Sequence, residues 1–382
     1  MFFIVNGEAM GSISIKIVHS KKDLDAFIKF AWKIYKDDPY WVPPLIYDKK
    51  KILDREKNPF FEHAEMEMFL AEKDGELVGR IAAIKNDLHN KYHKDKVGFF
   101  GFFECINDQQ VANKLFDVTK EWLKSRGCDA MRGPANPSSN DEYAMLLDGF
   151  EDEPRLLMPY NPKYYLSLCD NYGFKKAKDL YAYKLENKKV LGSDKLRRVA
   201  EIARKRSGLK ITQLNMKEFN RDLEKVKYVY NKAWAPNWGF VPMTEAELDA
   251  MAKDLKPLIE PSFVLFGEID NQLVGFALVM HDYNQIFKSM NGRLFPFGFL
   301  KFFTQKKKIT WSRILTLGII PEYQKRGFDA VFYWEIVNRA ANIGILLGEA
   351  SWILEDNAMM NRGAEVMNGE VYKKYRLYQI DI

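Results

Sequence analysis

The chain has 382 residues, of which 47% are hydrophobic and 14% aromatic, and 58 basic against 52 acidic residues give a net charge of +6. This composition excludes a wholly disordered chain, and the length predicts two domains of about 190 residues each. The mild positive charge suits an anionic cofactor or a membrane surface as well as nucleic acid. Three isolated cysteines and five scattered histidines show no metal-ligand spacing, so we expect reduced thiols and no metal.

The chain begins with an apolar stretch in residues 1–11 that is too short for a membrane span or a signal peptide. No apolar run elsewhere reaches the length that crossing a bilayer requires. We therefore expect a cytoplasmic protein that can sit peripherally at the inner membrane face.

Polar and apolar residues alternate at 13–18, which predicts a half-buried strand. Apolar residues then recur with helical spacing, which predicts a helix with Ser20 as its N-cap. A glycine-spaced aromatic strand at 97–105 precedes an amphipathic helix at 111–124, which ends at Gly127. The junction between them, 104–110, has no glycine. Asn107 or Asp108 is expected to fill the N-cap of this helix, so we predict no anion site there.

A long irregular segment at 133–165 is dense in Asn, Ser, Tyr and Pro. Long loops in compact domains are often functional, so its polar side chains are candidate contacts for an acceptor substrate. These candidates are Asn136, Ser139, Asn140, Glu142, Tyr160 and Asn161. A surface loop held by Asx turns is the alternative interpretation.

Residues 187–208 predict a basic helical linker with Ser193 as its cap. The cluster Arg204-Lys205-Arg206 lies at its end. No zinc spacing or RNA-binding aromatic motif accompanies this cluster, so we interpret it as a solvated helix face and expect no nucleic-acid partner.

Three pairs of segments indicate an internal duplication. Residues 71–83 and 267–279 share Glu, Asp and Leu-Val-Gly at an offset of 267 − 71 = 196, and each predicts a hairpin. At the same offset, 172–174 lies opposite 368–370, and each is followed by a closing strand (181–185 and 375–380). The Pro-x-Trp…Pro segments at 39–43 and 236–242 form the third pair, in the same order.

An aromatic insertion at 282–308 precedes the second strand–helix junction. Aromatic side chains beside lysines are what an interfacial membrane contact needs, so peripheral membrane contact through 286–308 is one hypothesis. A channel for a long acyl chain and packing against the first half are the two others. The residues concerned are Ile286, Phe287, Met290, Leu294, Phe295, Phe297, Phe299, Leu300, Phe302, Phe303 and Lys306–Lys308.

The second junction runs from an apolar strand at 314–320 through a polar elbow into a helix that begins near 328. The unpaired amides and positive dipole end of such a helix favour a phosphate. Gly327 allows the backbone to approach a bulky anion closely. The elbow is therefore our candidate pyrophosphate site.

This elbow, residues 324–329, resembles the Gln/Arg-x-x-Gly-x-Gly/Ala pyrophosphate loop of the GNAT superfamily of acyl-CoA-dependent N-acyltransferases. The resemblance implies an α/β (α+β) fold of two tandem lobes, each a mixed, mostly antiparallel sheet flanked by helices. We expect lobes at 12–186 and 209–382 joined by the linker 187–208, with acyl-CoA in the second lobe. The implied cofactor-binding residues are Leu317, Ile319, Gln324, Lys325, Arg326, Gly327, Phe328, Asp329, Ala330 and Asn357.

Two residues depart from the family pattern. Asp329 replaces a small residue, and its carboxylate would either repel a phosphate or cap the helix. Glu365 stands where many members carry the tyrosine that protonates the leaving thiolate. The remaining catalytic candidates are carboxylates in 348–357, after a strand predicted at 343–347, and tyrosines of the closing strand: Glu349, Glu355, Asp356, Tyr372 and Tyr375.

The sequence thus predicts an acyl-CoA-dependent N-acyltransferase acting on a small-molecule or lipid-like amine. A tRNA-dependent aminoacyltransferase with two similar lobes is an alternative that would not need the pyrophosphate elbow. A non-catalytic binding protein is the third, because Asp329, the missing tyrosine and the degenerate first lobe all favour it.

Overall fold

The computed structural model describes residues 12–235, 237–295 and 298–382, with the side chain of Phe303 outside that description. The predictions for residues 1–11, Pro236 and Phe297 therefore lie outside the described residues.

The first half alternates long antiparallel strands with short helices. Its strands are β1 (Ile13–Ile17), β2 (Ala64–Lys73), β3 (Glu76–Asn86), β4 (Val97–Cys105), β5 (Ala130–Gly133), β6 (Ala135–Asn136), β7 (Glu142–Tyr143), β8 (Met145–Asp148) and β9 (Lys175–Glu186). Its helices are α1 (Lys21–Lys29), α2 (Ala31–Ile34), α3 (Ile46–Ile52), α4 (Asp87–His93), α5 (Gln109–Lys124) and α6 (Tyr164–Tyr172).

The second half follows the same plan after two linking helices, α7 (Asn187–Leu191) and α8 (Asp194–Ser207). Its strands are β10 (Lys210–Gln213), β11 (Val264–Ile269), β12 (Gln272–His281), β13 (Trp311–Ile319), β14 (Leu347–Leu354) and β15 (Glu370–Asp381). Its helices are α9 (Phe219–Ala233), α10 (Glu245–Leu255), α11 (Asn284–Met290), α12 (Gly298–Gln305), α13 (Phe328–Asn342) and α14 (Ala358–Val366).

One mixed sheet crosses both halves of the described chain, in the order β1-β2-β3-β4-β5-β15-β9-β14-β13-β12-β11-β10, with β8 also paired to β15. Only β4–β5 and β13–β14 pair in parallel among these neighbours; the others are antiparallel. The closing strands are exchanged, because β9 of the first half lies beside β14 and β15 of the second lies beside β5. The mixed, mostly antiparallel fold with flanking helices is confirmed.

Local sequence signals account for most element boundaries. Both predicted hairpins form, and their turn residues Asp74-Gly75 and Asp270-Asn271 all have positive φ, as a tight two-residue turn requires. Ser20 and Ser193 cap their helices as expected. The buried apolar residues of the described chain form large clusters that pack on the sheet. One of these clusters consists mainly of residues from the second half.

The strand predicted at 343–347 is wrong. Helix α13 continues to Asn342 and ends in a turn where Gly344 takes a left-handed φ of +83°, so the strand begins only at Leu347. Residues 348–354, which we expected to follow the strand, are themselves β14. The consequence is that Glu349 lies inside the sheet.

Candidate active site

The two parallel strands of the second half separate along their length. β13 and β14 pair from Trp311↔Leu347 to Ile314↔Ala350 and no further, although β13 continues to Ile319 and β14 to Leu354. The other edge of β13 stays paired with β12 as far as Ile319↔Gly275. Beyond Ile314, the edge of β13 that faces β14 therefore carries unpaired backbone groups.

A cavity of about 1610 Å³ opens at this separation and extends between the two halves of the chain. Residues 314–319 of β13 and 350–354 of β14 line its inner end. Small-ligand pockets usually occupy roughly 300–1,000 Å³. The cavity therefore has room for a larger ligand, or for two ligands together.

Much of the cavity wall is apolar. The aromatic and aliphatic side chains on it come from α9, α10, the insertion and the segments between them. They include Trp234, Phe240, Met243, Met251, Leu255, Leu258, Phe287, Leu294, Phe299 and Phe302. Such a wall favours a hydrocarbon chain over a polar ligand, because contact removes apolar surface from water.

The elbow reaches the cavity through part of its length. Gln324, Lys325 and Asp329 line the cavity, and the Gln324 side chain donates from Nε2 to the Ile319 carbonyl at 3.0 Å. Lys325 and Gly327 both have left-handed φ values, +60° and +78°. No backbone carbonyl of the described residues accepts from the amides of 325–327, so these amides remain available to an anion.

The other elbow residues hold the turn and do not line the cavity. Phe328 and Ala330 are buried in the core. Gly327 faces α8, where a Cβ would lie 3.4 Å from the Ala203 side chain. Arg326 donates to the Glu322 carbonyl at 3.0 Å and lies over the Tyr323 ring.

Asp329 lies in the first turn of α13, whose N-cap is Gly327. Burial raises the pKa of its carboxyl group, while hydrogen bonds from the amides of Ala330 and of Asp329 itself oppose that rise. The carboxylate thus lies against the first amides of α13 and on the cavity wall. An anion bound at the elbow would use the amides before Asp329 and would feel this negative charge nearby.

Glu349 lies at the centre of a buried polar network beside the separating strands. It is fully buried, and Ser351 donates from Oγ to its Oε1 at 2.5 Å. Tyr372 donates to its second oxygen. Arg313, 3% exposed, donates from Nε to Ser351 Oγ at 2.8 Å and lies 3.6 Å from Glu349 Oε1.

Only Ser351 and Arg313 of this network line the cavity, so Glu349 reaches the cavity through the Ser351 hydroxyl. Burial, followed by the Glu349 charge, raises the pKa of Tyr372, which keeps the phenol protonated at neutral pH. Tyr375 is fully buried beside the network, and its hydroxyl has no hydrogen-bond partner among the described residues.

The other predicted carboxylate candidates lie outside the Glu349 network. Glu355 pairs with Lys176 at 2.6 Å and accepts from the Asp179 amide at 3.1 Å. Glu365 is exposed on α14. Asn357 lines the cavity beside Asp356, and it caps α14 by accepting from the Met360 amide at 3.1 Å.

A second set of buried polar contacts joins the first half of the chain to the strands around Glu349. Arg155 pairs with Asp152 at 2.7 Å and approaches Asp282 at 3.4 Å, while Asp282 also accepts from the Leu156 amide at 2.9 Å. Lys373 donates to the carbonyls of Gly149 and Asp152, and burial lowers its pKa to about 8. These contacts hold the segment before Leu156 against β15, beside Glu349.

The irregular segment 133–165, here called the first-half loop, contributes the opposite wall of the cavity. Asn136, Ser139, Asn140 and Glu142 all line it, and the Ser139 hydroxyl is buried without a partner among the described residues. Glu142 pairs with Lys49 at 2.9 Å. Tyr160 and Asn161 do not line the cavity: Tyr160 donates to Asp38, and Asn161 holds the backbone of Leu146.

The sequence analysis missed several cavity residues. Arg313 and Ser351 belong to the network, and Asp141 lines the first-half wall with its pKa raised to about 6 by burial. The signal for Arg313 was present, since a lone arginine inside an apolar strand needs a buried partner. Nothing in the local sequence distinguishes Ser351 or Asp141 from neighbouring polar residues.

Within the described ranges, each helix is too short or too polar to span a bilayer. Among the same residues, no three His, Cys, Asp or Glu side chains are grouped so that they could hold a metal ion.

No protein-family model matches the chain. Two whole-length relatives do match: the bacterial ceramide synthase of Caulobacter vibrioides, 34% identical over 96% of this chain and 97% of the relative, and protein YghO of Escherichia coli, 33% identical over 95% and 94%. Among solved structures, a tandem GNAT protein from the clavulanic acid biosynthesis pathway covers 97% of this chain and 98% of its own length, with a TM-score of 0.57 and 8% identity. The chain therefore belongs to the family of these two relatives and is an N-acyltransferase with the two-lobe GNAT fold.

Proposed function

We propose that this protein transfers a long acyl group from acyl-CoA to the amino group of a lipid-like amine, such as a long-chain base. The observation that carries the proposal is the 1610 Å³ cavity, which begins at the separation of β13 and β14 and meets the elbow at Gln324 and Lys325. The name of the Caulobacter relative, a ceramide synthase, denotes acyl transfer to such an amine.

The elbow supports the acyl-CoA part of the proposal. The free amides of 325–327 and the positive end of α13 suit a diphosphate. The unpaired edge of β13 offers backbone donors and acceptors to an extended chain beyond the diphosphate. Leu317 and Ile319 lie on this stretch and line the cavity, so their backbone is suited to bind the thioester arm.

The apolar wall supports the lipid-like part. A long acyl chain and a long-chain amine each bury hydrocarbon that water disfavours, at about 0.8 kcal/mol per methylene group. A small soluble amine would leave most of this wall uncovered. The cavity size and lining therefore favour two long-chain substrates over a short donor or acceptor.

The acid–base chemistry fits Glu349 acting through Ser351. The acceptor ammonium loses its proton to Glu349 by way of the Ser351 hydroxyl, and the amine nitrogen then attacks the thioester carbonyl carbon. Backbone N–H groups on the open edge of β13 would stabilise the tetrahedral oxyanion. When the C–S bond breaks, the same relay returns that proton to the thiolate. The second proton of the nitrogen then passes through the Ser351 hydroxyl to the Glu349 carboxylate, which releases it to solvent. Arg313 and Tyr372 hold Ser351 and Glu349 in place.

The first-half loop would hold the amine. Asn136, Ser139 and Glu142 offer hydrogen-bond acceptors on the wall opposite β13, and Asp141 adds a carboxylate there. The domain boundaries 12–186, 187–208 and 209–382 fit this division, in which the second lobe holds the donor and the first shapes the acceptor site.

The test is an acyl-transfer assay with acyl-CoA donors from acetyl to stearoyl. Release of free CoA thiol and formation of the amide, detected by mass spectrometry, are measured with a long-chain amine, with a small soluble amine and without amine. We expect amide formation that rises with the chain length of both substrates. The proposal fails if no donor yields amide, if short substrates react as well as long ones, or if only an aminoacyl-tRNA donor reacts.

A further inference from the structure

Large apolar side chains are exposed together on and before α12. Phe295 is 73% exposed, Leu300 59% and Phe299 47%, and the rings of Phe295 and Phe299 stack with centroids 6.2 Å apart. Neighbouring exposed side chains of this size usually mark a binding surface, because water contact with them is unfavourable.

The exposed group is continuous with the mouth of the cavity. Phe299 lines the cavity, and so do Tyr47 on α3, 67% exposed, and Leu157, 44% exposed. The insertion is fixed beside α3, since the Gly292 carbonyl accepts from the Ile46 amide at 3.1 Å. We call these five residues the apolar rim: Tyr47, Leu157, Phe295, Phe299 and Leu300.

Exposed cations lie just before and after α12. Arg293 precedes it, and Lys307 and Lys308 follow it. None of the three has an ion-pair partner among the described residues. Apolar side chains flanked by free cations are the combination that binds the interface of an anionic bilayer.

We infer that the apolar rim docks on an anionic lipid bilayer and opens the cavity directly toward the acyl chains. A long-chain amine then enters the cavity without leaving the lipid phase. This inference rests on the proposed function for the identity of the amine, but the docking itself does not depend on catalysis.

A second copy of the chain is a poorer occupant of this surface. In a symmetric dimer the same patch meets itself, so Arg293, Lys307 and Lys308 of one copy would be brought near the same three cations of the other. Like charges brought together repel, whereas anionic headgroups attract them. The charge of the surface therefore selects the bilayer.

The experiment is vesicle flotation of the full chain without substrates, using phosphatidylcholine vesicles with and without phosphatidylglycerol. We expect the wild-type protein to bind the anionic vesicles. The double variant Phe295→Ser/Leu300→Ser should bind at least about tenfold more weakly, because it loses interfacial apolar contact. The variant Lys307→Glu/Lys308→Glu should lose at least about tenfold on anionic vesicles and change little on neutral ones.

Matched controls separate docking from general surface effects. Leu346→Ser removes an apolar side chain that is 62% exposed and does not line the cavity. Lys114→Glu/Lys124→Glu makes the same charge change on the exposed face of α5. Both controls should bind vesicles like the wild type.

The inference is overturned if the wild type does not bind anionic vesicles, or if the rim variants bind as well as their controls. Loss of a dimer in sedimentation of the rim variant, with no vesicle binding by the wild type, would assign the surface to self-association. Activity is read in parallel: the rim variant should keep its turnover of a detergent-dispersed amine and lose turnover of a vesicle-embedded amine. Vesicle binding without acyl transfer to any amine would contradict the proposed function and leave the docking intact.

Discussion

The two halves of the molecule use the same strand–elbow–helix arrangement, and only the second leaves it open. In the first half, the Asp108 side chain caps α5 by accepting from the amides of Gln110 and Val111, and it pairs with Lys73 at 2.8 Å. In the second half, the N-cap of α13 is Gly327, which has no side chain to offer. An acidic cap occupies the place that an anion would take.

The gap between the parallel strands differs in the same way. Beyond Phe99↔Arg132, the first half fills the space beside β4 with its own chain: the Asn136 side chain accepts from the Phe102 amide at 2.6 Å, and a Cβ on Gly101 would lie 1.8 Å from the Ala135 carbonyl. Beyond Ile314↔Ala350, the second half opens into the cavity. The comparison teaches that the fold supplies the arrangement, while a few residues decide whether a ligand can occupy it.

The largest contrast is expected between two buried glutamates. Glu104 pairs with Arg80 and accepts from Tyr165 at 2.7 Å in the closed half, whereas Glu349 has a path to the cavity through Ser351. Glu349→Gln should lower kcat by about 10²–10⁴-fold with little change in CoA affinity, because it removes the proton acceptor. Glu104→Gln should keep kcat within about twofold and cost stability, up to about 3–5 kcal/mol for breaking a buried pair.

Steady-state kinetics and thermal unfolding of both variants check this contrast. A Glu349→Gln protein with nearly wild-type kcat would remove Glu349 from the mechanism.

The next contrast compares two glycines with the same backbone conformation. Gly327 has a φ of +78° in the elbow, and Gly127 has a φ of +77° after α5, away from the cavity. Valine is strained at both positions and should cost about 1–3 kcal/mol of stability at each. Only Gly327→Val should also weaken CoA binding, by at least about tenfold, because it distorts the elbow amides.

The measurement is the shift of the melting temperature of each variant with CoA concentration. If Gly327→Val keeps full protection by CoA, the nucleotide binds somewhere else.

Smaller effects are expected from the two acidic residues at the helix starts. Asp329→Ala removes a negative charge next to the elbow amides and should raise CoA affinity about fivefold, or ~1 kcal/mol. Asp108→Ala should cost about 1 kcal/mol of stability as a lost cap, without creating a second CoA site, because the gap in the first half stays filled. Titration calorimetry gives both affinity and stoichiometry, and two CoA molecules bound to Asp108→Ala would contradict the comparison.

The smallest expected effect is the pH dependence of KM for the amine, which we attribute to Asp141 on the first-half wall of the cavity. Burial raises the pKa of Asp141 to about 6 from its ordinary 3.8. Its carboxylate therefore forms as the pH rises through about 6 and attracts the acceptor ammonium, so KM for the amine should fall by up to about fivefold. Asp141→Asn should lose this dependence, and a variant with an unchanged pH profile of KM would exclude the role.

The effect of Asp141 on stability has the opposite pH dependence to its effect on amine binding. Because the folded pKa lies above the unfolded one, the folded state binds the proton more tightly, and the free energy of unfolding falls as the pH rises from 3.8 to about 6. Asp141→Asn should flatten that fall in urea unfolding at a series of pH values.

The fold was largely predictable from the sequence because its signals are local. Most elements could be predicted from Asp-Gly and Asp-Asn turns, from Ser and Asp caps, and from the period-two pattern of the strands. Asp108 is the N-cap of α5, as expected. The strand error at 343–347 arose because the turn that follows α13, with Gly344 at a left-handed φ, contains the apolar residues 343, 345 and 346, which resemble a short strand.

The site was less predictable because its contacts are distant in sequence. Glu349 and Tyr372 were candidates, but their junction with Arg313 and Ser351 depends on the pairing of β13 with β14 and of β15 with β9. Leu156, whose carbonyl accepts from Arg313 at 2.6 Å, comes from the other half of the chain. No periodicity or residue spacing in a single sequence predicts contacts between segments so far apart in the chain.

The most direct test of the open elbow is a crystal structure of the protein with a non-reactive thioether analogue of a long-chain acyl-CoA. We expect the diphosphate on the amides of 325–327, the pantetheine arm along the open edge of β13, the sulfur near Ser351 and the hydrocarbon against Phe287 and Phe302. A diphosphate bound anywhere else, or an elbow left empty with the ligand at saturating concentration, would contradict the account.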